Sequence, residues 1–349
     1  MMAKSNLLRF SALIASAGLL LAACGGDSTD PGSEGGSDVE KEVDAGSDET
    51  PLEAVTIGIT QIVEHPSLDA AREGFKDALL DAGYTEDTIT FDEQNAQGEM
   101  ATATSIASKF DADGVDLVLA IATPTAQAAA QSITDIPILF TAVTEPQEAG
   151  IVASWDEPGA NVTGTSDLNP VEEQIELIAE IAPDAKTVGV IYSSGEVNSE
   201  VQVELAREAT EKLGLELKEV TVSASADVSQ AAESIKDVDA IYVPTDNTVV
   251  EALEAVIQVA EQEQILMIVG EGDSVERGGV ATFGLNYYEL GYQTGKMAAR
   301  ILLEGADPAT MPVETQDVMQ LIVNEAAAER MGVTLPEEFV AKADELVTE

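Results

Sequence analysis

The chain has 349 residues, room for two domains at ~150 residues each, and carries 65 acidic residues against 16 basic, a formal net charge of −49. That balance excludes nucleic-acid binding, which needs clustered Lys and Arg, and an anionic membrane surface would repel it. One Cys and one His exclude a Cys/His zinc site and an internal disulfide, and confine any Ser-His-Asp or Cys-His mechanism to His65.

The first elements in chain order are an address and a tether. Lys4 and Arg9 precede an apolar or small-residue run from Phe10 to Ala23. Such a run is too short for a ~30 Å hydrocarbon core, which takes about 20 helical residues, so it reads as a signal-peptide core. Leu21-Ala22-Ala23-Cys24 resembles the bacterial lipobox, which implies removal of residues 1–23 and lipidation of Cys24, the chain's only cysteine. Residues 24–53 are mostly Gly, Ser, Asp and Glu. With too little apolar mass to offset ordering entropy, they read as a self-repelling flexible linker.

From Val55 the pattern becomes α/β. A strand is predicted at Val55–Thr60, an amphipathic helix at Leu68–Ala82 ended by Gly83, and a strand near Ile89–Gln94. A helix at Met100–Phe110, a buried strand at Leu117–Ile121, a helix after Pro124 and a strand at Ile138–Phe140 follow. The order then recurs: strand Thr187–Tyr192, helix Glu200–Leu213 ended by Gly214, strand Glu216–Val222, helix Val228–Ile235, strand Ala240–Val243, helix Val249–Gln262 and strand Ile265–Val269. Some residues repeat literally. Gly58 and Gly83 correspond to Gly189 and Gly214, Ala71-Arg72-Glu73 to Ala206-Arg207-Glu208, and Asp116 and Thr123 to Asp239 and Thr245. The tail is read as strand Ala281–Gly284, helix Tyr288–Glu304, strand Asp317–Val323 and helix Pro336–Leu346, supplying elements to both halves.

The fold class this predicts is α/β, with two Rossmann-like lobes built on parallel sheets and joined by several hinge crossings. Residues 54–164 with 285–313 form the N-terminal lobe, and 165–284 with 314–349 the C-terminal lobe. Open α/β sheets bind ligands outside their carboxyl strand ends, so the site is expected in a cleft between the lobes.

Several segments carry a family resemblance: ITQIVEHPSLDAAREGF (59–75), ATPTAQA (122–128), FTAVTEPQEAG (140–150), GTSDLNPVEEQIELI (164–178), IYSSGEVNSEVQVE (191–204), YVPTDNTVVEALEAV (242–256), GEGDSVERGG (270–279) and NYYELGYQTGKMA (286–298). Together they resemble the extracytoplasmic solute-binding lipoproteins of ABC importers, of type I periplasmic-binding-protein architecture, and more narrowly the branch for tryptophan, tyrosine or phenylalanine uptake. The resemblance implies a monomeric receptor, lipid-anchored to the membrane through Cys24. It would pass a small solute, most simply an amino acid, to a permease and its ATPase. A sugar or nucleoside ligand, or a sensory receptor, remains the alternative.

The candidate site residues follow from the strand ends. Thr123 is expected to cap a helix ahead of Pro124, with Ser193, Ser194, Thr245 and Asn247 in corresponding places of the second lobe. Thr123, Ser194 and nearby amides are the expected carboxylate receivers. Asp246 and Asp273 are the expected ammonium partners, and Asp167 could serve hinge or ligand. Gln61 and His65 should face the cleft mouth, Thr141 follows a predicted strand there, and Asn198, Asn247 and Glu271 could add hydrogen bonds. Tyr287, Tyr288 and Trp155 are the rings near the expected cleft. No Gly-rich phosphate loop with its Lys and no acidic calcium loop occurs, so no cofactor, metal or catalysis is expected.

Overall fold

The computed structural model describes residues 52–348; the expected leader, Cys24 and the acidic linker up to residue 51 lie outside the described residues. In the first half, β1 (Val55–Gln61), α1 (Pro66–Asp81), β2 (Ile89–Asn95), α2 (Met100–Asp113), β3 (Leu117–Ile121), α3 (Thr123–Ser132) and β4 (Ile138–Thr141) alternate as the pattern predicts, and β5 (Val162–Gly164), which it does not predict, follows with no helix between. They build a five-stranded parallel sheet of order β2-β1-β3-β4-β5. β3 is buried throughout, as a central strand covered on both faces must be.

The second half contains α4 (Val171–Ile181), β6 (Thr187–Ser193), α5 (Val197–Leu213), β7 (Glu216–Val222), α6 (Val228–Ser234), β8 (Ala240–Val243), α7 (Asn247–Glu251) and α8 (Leu253–Glu263). It continues through β9 (Leu266–Val269), α9 (Gly272–Arg277) and β10 (Ala281–Gly284). α10 (Tyr287–Glu304), β11 (Gln320–Asn324), α11 (Glu325–Arg330), α12 (Glu337–Val340) and β12 (Glu345–Val347) complete the chain. The second sheet has the order β12-β11-β10-β9-β8-β6-β7. Its segment β7-β6-β8-β9-β10 repeats the topology of the first sheet, and only the β10–β11 pair is antiparallel.

The literal repeats do equivalent work. Asp116 accepts the Thr56 amide at 2.7 Å and Asp239 accepts the Thr187 amide at 2.9 Å, each pinning the start of its sheet's first strand. Arg72 reaches Glu93 on β2, and Arg207 reaches Glu219 on β7.

Two apolar cores result, one under each sheet, and residues 285–313 contribute Leu290, Met297 and Ile301 to the first. α10 returns there by packing on α1 at backbone distance. A Cβ on Gly291 would lie 1.8 Å from the Ala71 carbonyl oxygen, and one on Gly74 would lie 2.0 Å from that of Tyr288. Only glycine allows that approach. The chain thus passes between the sheets after β5, after β10 and before β11. The first and third passages are stitched together, Ser166 N–H to the Glu314 carbonyl at 2.9 Å and Glu314 N–H to that of Gly164 at 3.0 Å.

Two expectations need correction. The helix predicted over Val249–Gln262 is two helices, broken at Ala252 (φ −116°, ψ 28°). The helix predicted over Pro336–Leu346 stops at Val340, because Asp344 donates its amide to the Leu321 carbonyl, its carboxylate accepts the Leu321 amide, and the chain pairs as β12 against β11. Both final strands join the second sheet while α10 packs into the first core, so the tail supplies elements to both halves.

Candidate functional site

The carboxyl ends of the two sheets enclose a cavity of about 10 Å³. His65, Leu68, Ala142 and Thr144 wall it from the first lobe. Asn198, Thr245, Asp246, Asn247 and Glu271 wall it from the second, with Asp167 and Tyr287 contributed by the passages between them. The volume is room for about one water molecule, far below the ~300–1,000 Å³ of most ligand pockets, so a solute enters only as the walls part. Among the described residues no three His, Cys, Asp or Glu side chains are placed to hold a metal ion.

Three buried carboxyl groups face this space with unequal support. Asp246 caps α7: its Oδ1 accepts the Val249 amide at 2.8 Å, and its Oδ2 accepts the Ser193 amide and the Ser199 hydroxyl at 2.6 Å each. Burial and then the neighbouring Glu196 raise its pKa. Asp167 accepts the Thr144 hydroxyl at 3.1 Å and the Tyr287 hydroxyl at 2.8 Å, and burial raises it too. Glu271 accepts only the Ser274 hydroxyl, at 3.0 Å. Burial and then Asp273 push its pKa up to about 8. A buried acid with so few donors is the one best placed to gain from a cation.

The second lobe fills its own helix ends. Glu196, which precedes α5, places its carboxylate on the first turn of α7. There it accepts the Asn247 side-chain amide at 2.5 Å, the Thr248 amide at 3.1 Å and the Thr248 hydroxyl at 2.7 Å. The expected anion cradle around Thr245-Asp246-Asn247 is therefore occupied by a protein carboxylate. Thr245 donates through both its amide and its hydroxyl to Gln202, at 3.1 and 2.8 Å. Asn198 donates to Glu196 and to the Thr245 carbonyl while its Oδ1 has no partner.

The first lobe leaves more polar atoms open. The unpartnered buried atoms there are His65 Nδ1 and the hydroxyls of Thr60, Ser67 and Thr123. Burial, and then the nearby Arg277 guanidinium, push the His65 pKa down to about 3, so its imidazole is neutral. Backbone strain concentrates at the same strand ends: Ala122, just past β3, has φ 80°, and Ala142, just past β4, has φ 56°.

Of the sequence candidates, His65, Asp167, Asn198, Thr245, Asp246 and Asn247 line the cavity. Thr123 is not the cap of α3 but its first residue, Ala122 taking the cap position, and it lies outside the cavity wall. Ser194 is exposed at the surface, and Ser193 faces an outer groove between the lobes. Gln61 is spent on the Val63 carbonyl, Asp69 and Arg72, stitching β1 to α1. Thr141 sits in a buried hydroxyl chain with Thr165 and Thr294. Asp273 is half-buried in the first turn of α9, off the wall; Glu271, two residues earlier and directly after the β9 strand end, takes the place expected of it. Of the three rings, Tyr287 reaches the cavity, whereas Tyr288 bonds Asp77 and Trp155 bonds Glu145 elsewhere. Thr144, Leu68 and Ala142 escaped the sequence reading, because nothing local distinguishes them from other loop and helix residues.

Comparison with known proteins agrees with this architecture. The family described as ABC transporter substrate binding protein matches residues 56–347. A tyrosine-binding protein of Clostridioides difficile is 46% identical over 271 residues, 77% of this chain and 78% of that protein. A solved ABC domain from Streptococcus pneumonia in complex with L-Trp is 35% identical with a TM-score of 0.82, covering 84% of this chain and all of that one. The ligand-free, open structure of a substrate binding protein with adhesive properties from Clostridium difficile is 44% identical with a TM-score of 0.64, covering 85% of this chain and all of that one.

Proposed function

This chain belongs to the ABC transporter substrate-binding proteins, and from that premise we propose that its interlobe cavity captures an L-amino acid with an aromatic side chain. Proteins of this family act outside the cytoplasm and hand their solute to a membrane permease driven by an ATPase. The observation that carries the ligand reading is the cavity itself. Three buried carboxyl groups face it, and Glu271 has a single protein donor. In this reading Glu271, with Asp167 beside it, receives the ligand's ammonium, and Tyr287 and Leu68 border its side chain. Asp246 shapes the wall by holding α7 against β6.

The similarity to a tyrosine-binding protein and to an L-Trp complex supports an aromatic amino acid. Superposition supports capture by closure: the L-Trp complex fits better than the open, ligand-free relative although it is less identical. Residues 54–164 with 285–313 would move as one lobe and residues 165–284 with 314–349 as the other, about the three passages between the sheets. We place the protein on the outer membrane face through lipid on Cys24. Among the described residues no helix is long and apolar enough to cross a membrane.

A thermal-shift screen of the chain from residue 25 onward, against L-amino acids, sugars and nucleosides, tests this. A binder at about 100 times its Kd adds roughly 2.7 kcal/mol. Stabilisation by L-Tyr, L-Trp or L-Phe is expected; a response confined to sugars or nucleosides overturns the ligand. Cys24→Ser should move the protein from the membrane fraction to the soluble one, and retention on the membrane would remove the lipid anchor.

A further inference from the structure

An amino acid also brings a carboxylate, and the two receivers read from the sequence, Thr123 and Ser194, do not reach the cavity wall. The polar atoms left without partners inside the protein point elsewhere. A buried donor with no acceptor costs free energy comparable to a lost hydrogen bond, so natural proteins keep few of them. Two of those described sit at the start of α1, His65 Nδ1 and Ser67 Oγ, and a third, Arg277 Nη1, belongs to the last residue of α9, which packs against α1. His65 and Leu68 both line the cavity, and Ser67, between them, is fully buried.

We infer that the first turn of α1, together with Arg277 from the opposite lobe, is the receiver for the ligand's carboxylate. This rests on the amino-acid reading above. α1 has 16 residues, begins with Pro66, which has no N–H, and its first intrahelical bond in this turn is Asp69 N–H to the His65 carbonyl at 3.1 Å. The amides of Ser67 and Leu68 precede that bond and no side chain caps them, which is the arrangement in which a helix start holds an anion. Among the described residues no carboxylate fills this end, in contrast to Glu196 at α7. Asp69, the acid of the first turn, is turned away to Gln61 and Arg72.

Arg277 completes the receiver from the second lobe. Its Nε and Nη2 fork onto Glu254 at 2.9 Å each, fixing the guanidinium plane, and leave Nη1 buried and unpaired. It ends α9, which packs against α1 of the first lobe, and its charge acts on both His65 and Glu271. A carboxylate held by α1 of one lobe and Arg277 of the other ties the lobes together. The carboxylate then selects for an amino acid over the corresponding amine, and couples its recognition to closure.

Calorimetric titration with L-tyrosine and with tyramine, which lacks the carboxylate, tests the inference. The wild type should bind tyrosine and discriminate strongly against tyramine. Ser67→Ala and Arg277→Gln should each weaken tyrosine about 10- to 100-fold, as expected for losing a hydrogen bond to a charged group. Tyramine should bind each variant as it binds the wild type, so the discrimination collapses. Glu254→Gln, which removes only the outer partner of Arg277, should change tyrosine binding less than Arg277→Gln does. Parallel loss of tyrosine and tyramine would show a merely structural role and overturn the inference, as would full tyrosine affinity in both variants. Should Arg277→Gln not fold, Ser67→Ala reports from the other lobe. A wild type that binds none of the aromatic L-amino acids overturns the underlying reading instead.

Discussion

The two lobes share one strand order yet treat their strand ends in opposite ways. In the second lobe Asp246 and Glu196 saturate the start of α7, Gln202 holds Thr245, and Asn198 bridges them. In the first lobe the hydroxyls of Ser67 and Thr123 and the His65 imidazole have open valences, and Ala122 and Ala142 carry positive φ. One wall is pre-built, and the other is held in a conformation whose polar groups await a partner. Glu271, an under-supported acid, and the unpartnered Asn198 Oδ1 and Arg277 Nη1 are the exceptions in the second lobe. Unsatisfied groups and strain tend to persist where they serve binding, so the contrast assigns stability mainly to one wall and recognition mainly to the other.

The sharpest break of that contrast sets Glu271 against Asp246. Glu271→Gln removes the charge expected to pair with the ligand's ammonium, and aromatic amino-acid binding should weaken by about 100-fold. The ligand-free protein should melt no lower, because a neutral amide replaces a carboxyl whose ionisation burial already resists. Asp246→Ala should do the reverse. It orphans the Val249 and Ser193 amides and the Ser199 hydroxyl, which costs about 3 kcal/mol. Melting should fall by roughly 6–12 °C at the ~2–4 °C per kcal/mol of a protein this size. Equal melting temperatures for Asp246→Ala and wild type would remove the structural role given to this acid.

The fold was legible because its signals are local. Buried runs such as Leu117–Ile121 and Ala240–Val243 are strands with the predicted bounds. The repeated Asp116/Asp239 and Arg72/Arg207 pairs mark equivalent joints of two like sheets. The cavity was only half legible, because its contacts are remote. Glu196 fills the start of a helix 51 residues further along the chain, and no local pattern announces that. Ala122 takes a backbone conformation that its side chain disfavours, so the cap assigned to Thr123 by residue type went to its neighbour. His65, Asp167 and Asn247 were within reach because they lie within a few residues of a strand end, in the loop that follows it or at the helix start.

A smaller effect separates the walls by pH. Glu271 is raised to about 8 from 4.5, Asp246 is raised too, and His65 is lowered to about 3 from 6.5. An acid raised on folding binds more protons in the native state, so its stabilisation is complete below its unfolded pKa and is lost as pH rises through the folded one. A lowered histidine works oppositely: its stabilisation is present above 6.5 and is lost as pH falls towards 3. Between pH 4.5 and 6.5 the two walls oppose each other, whereas from 6.5 to 8 the acids act alone. Ligand-free stability should fall across that upper window, by at most about 1.4 kcal/mol per pH unit for each proton. Glu271→Gln should flatten the fall, and a melting temperature that climbs from pH 6.5 to 8 would contradict the assignment.

The smallest effect tests the strained wall directly. Ala122 sits at φ 80°, ψ 155° ahead of α3, its amide tied to the Thr141 carbonyl at 3.0 Å. That backbone region is nearly reserved for glycine, and a residue with a Cβ pays ~1–3 kcal/mol to occupy it. Part of any relief from Ala122→Gly is returned as greater freedom of the unfolded chain, so a net gain of about 1 kcal/mol, a few degrees in melting temperature, is expected. If the strain also holds the first lobe's strand ends ready for a ligand, the same variant should bind tyrosine more weakly while melting higher. A gain in both would mean that the conformation of Ala122 serves packing between β3 and β4 alone, and recognition would then rest on α1 and Glu271 without help from a pre-strained backbone.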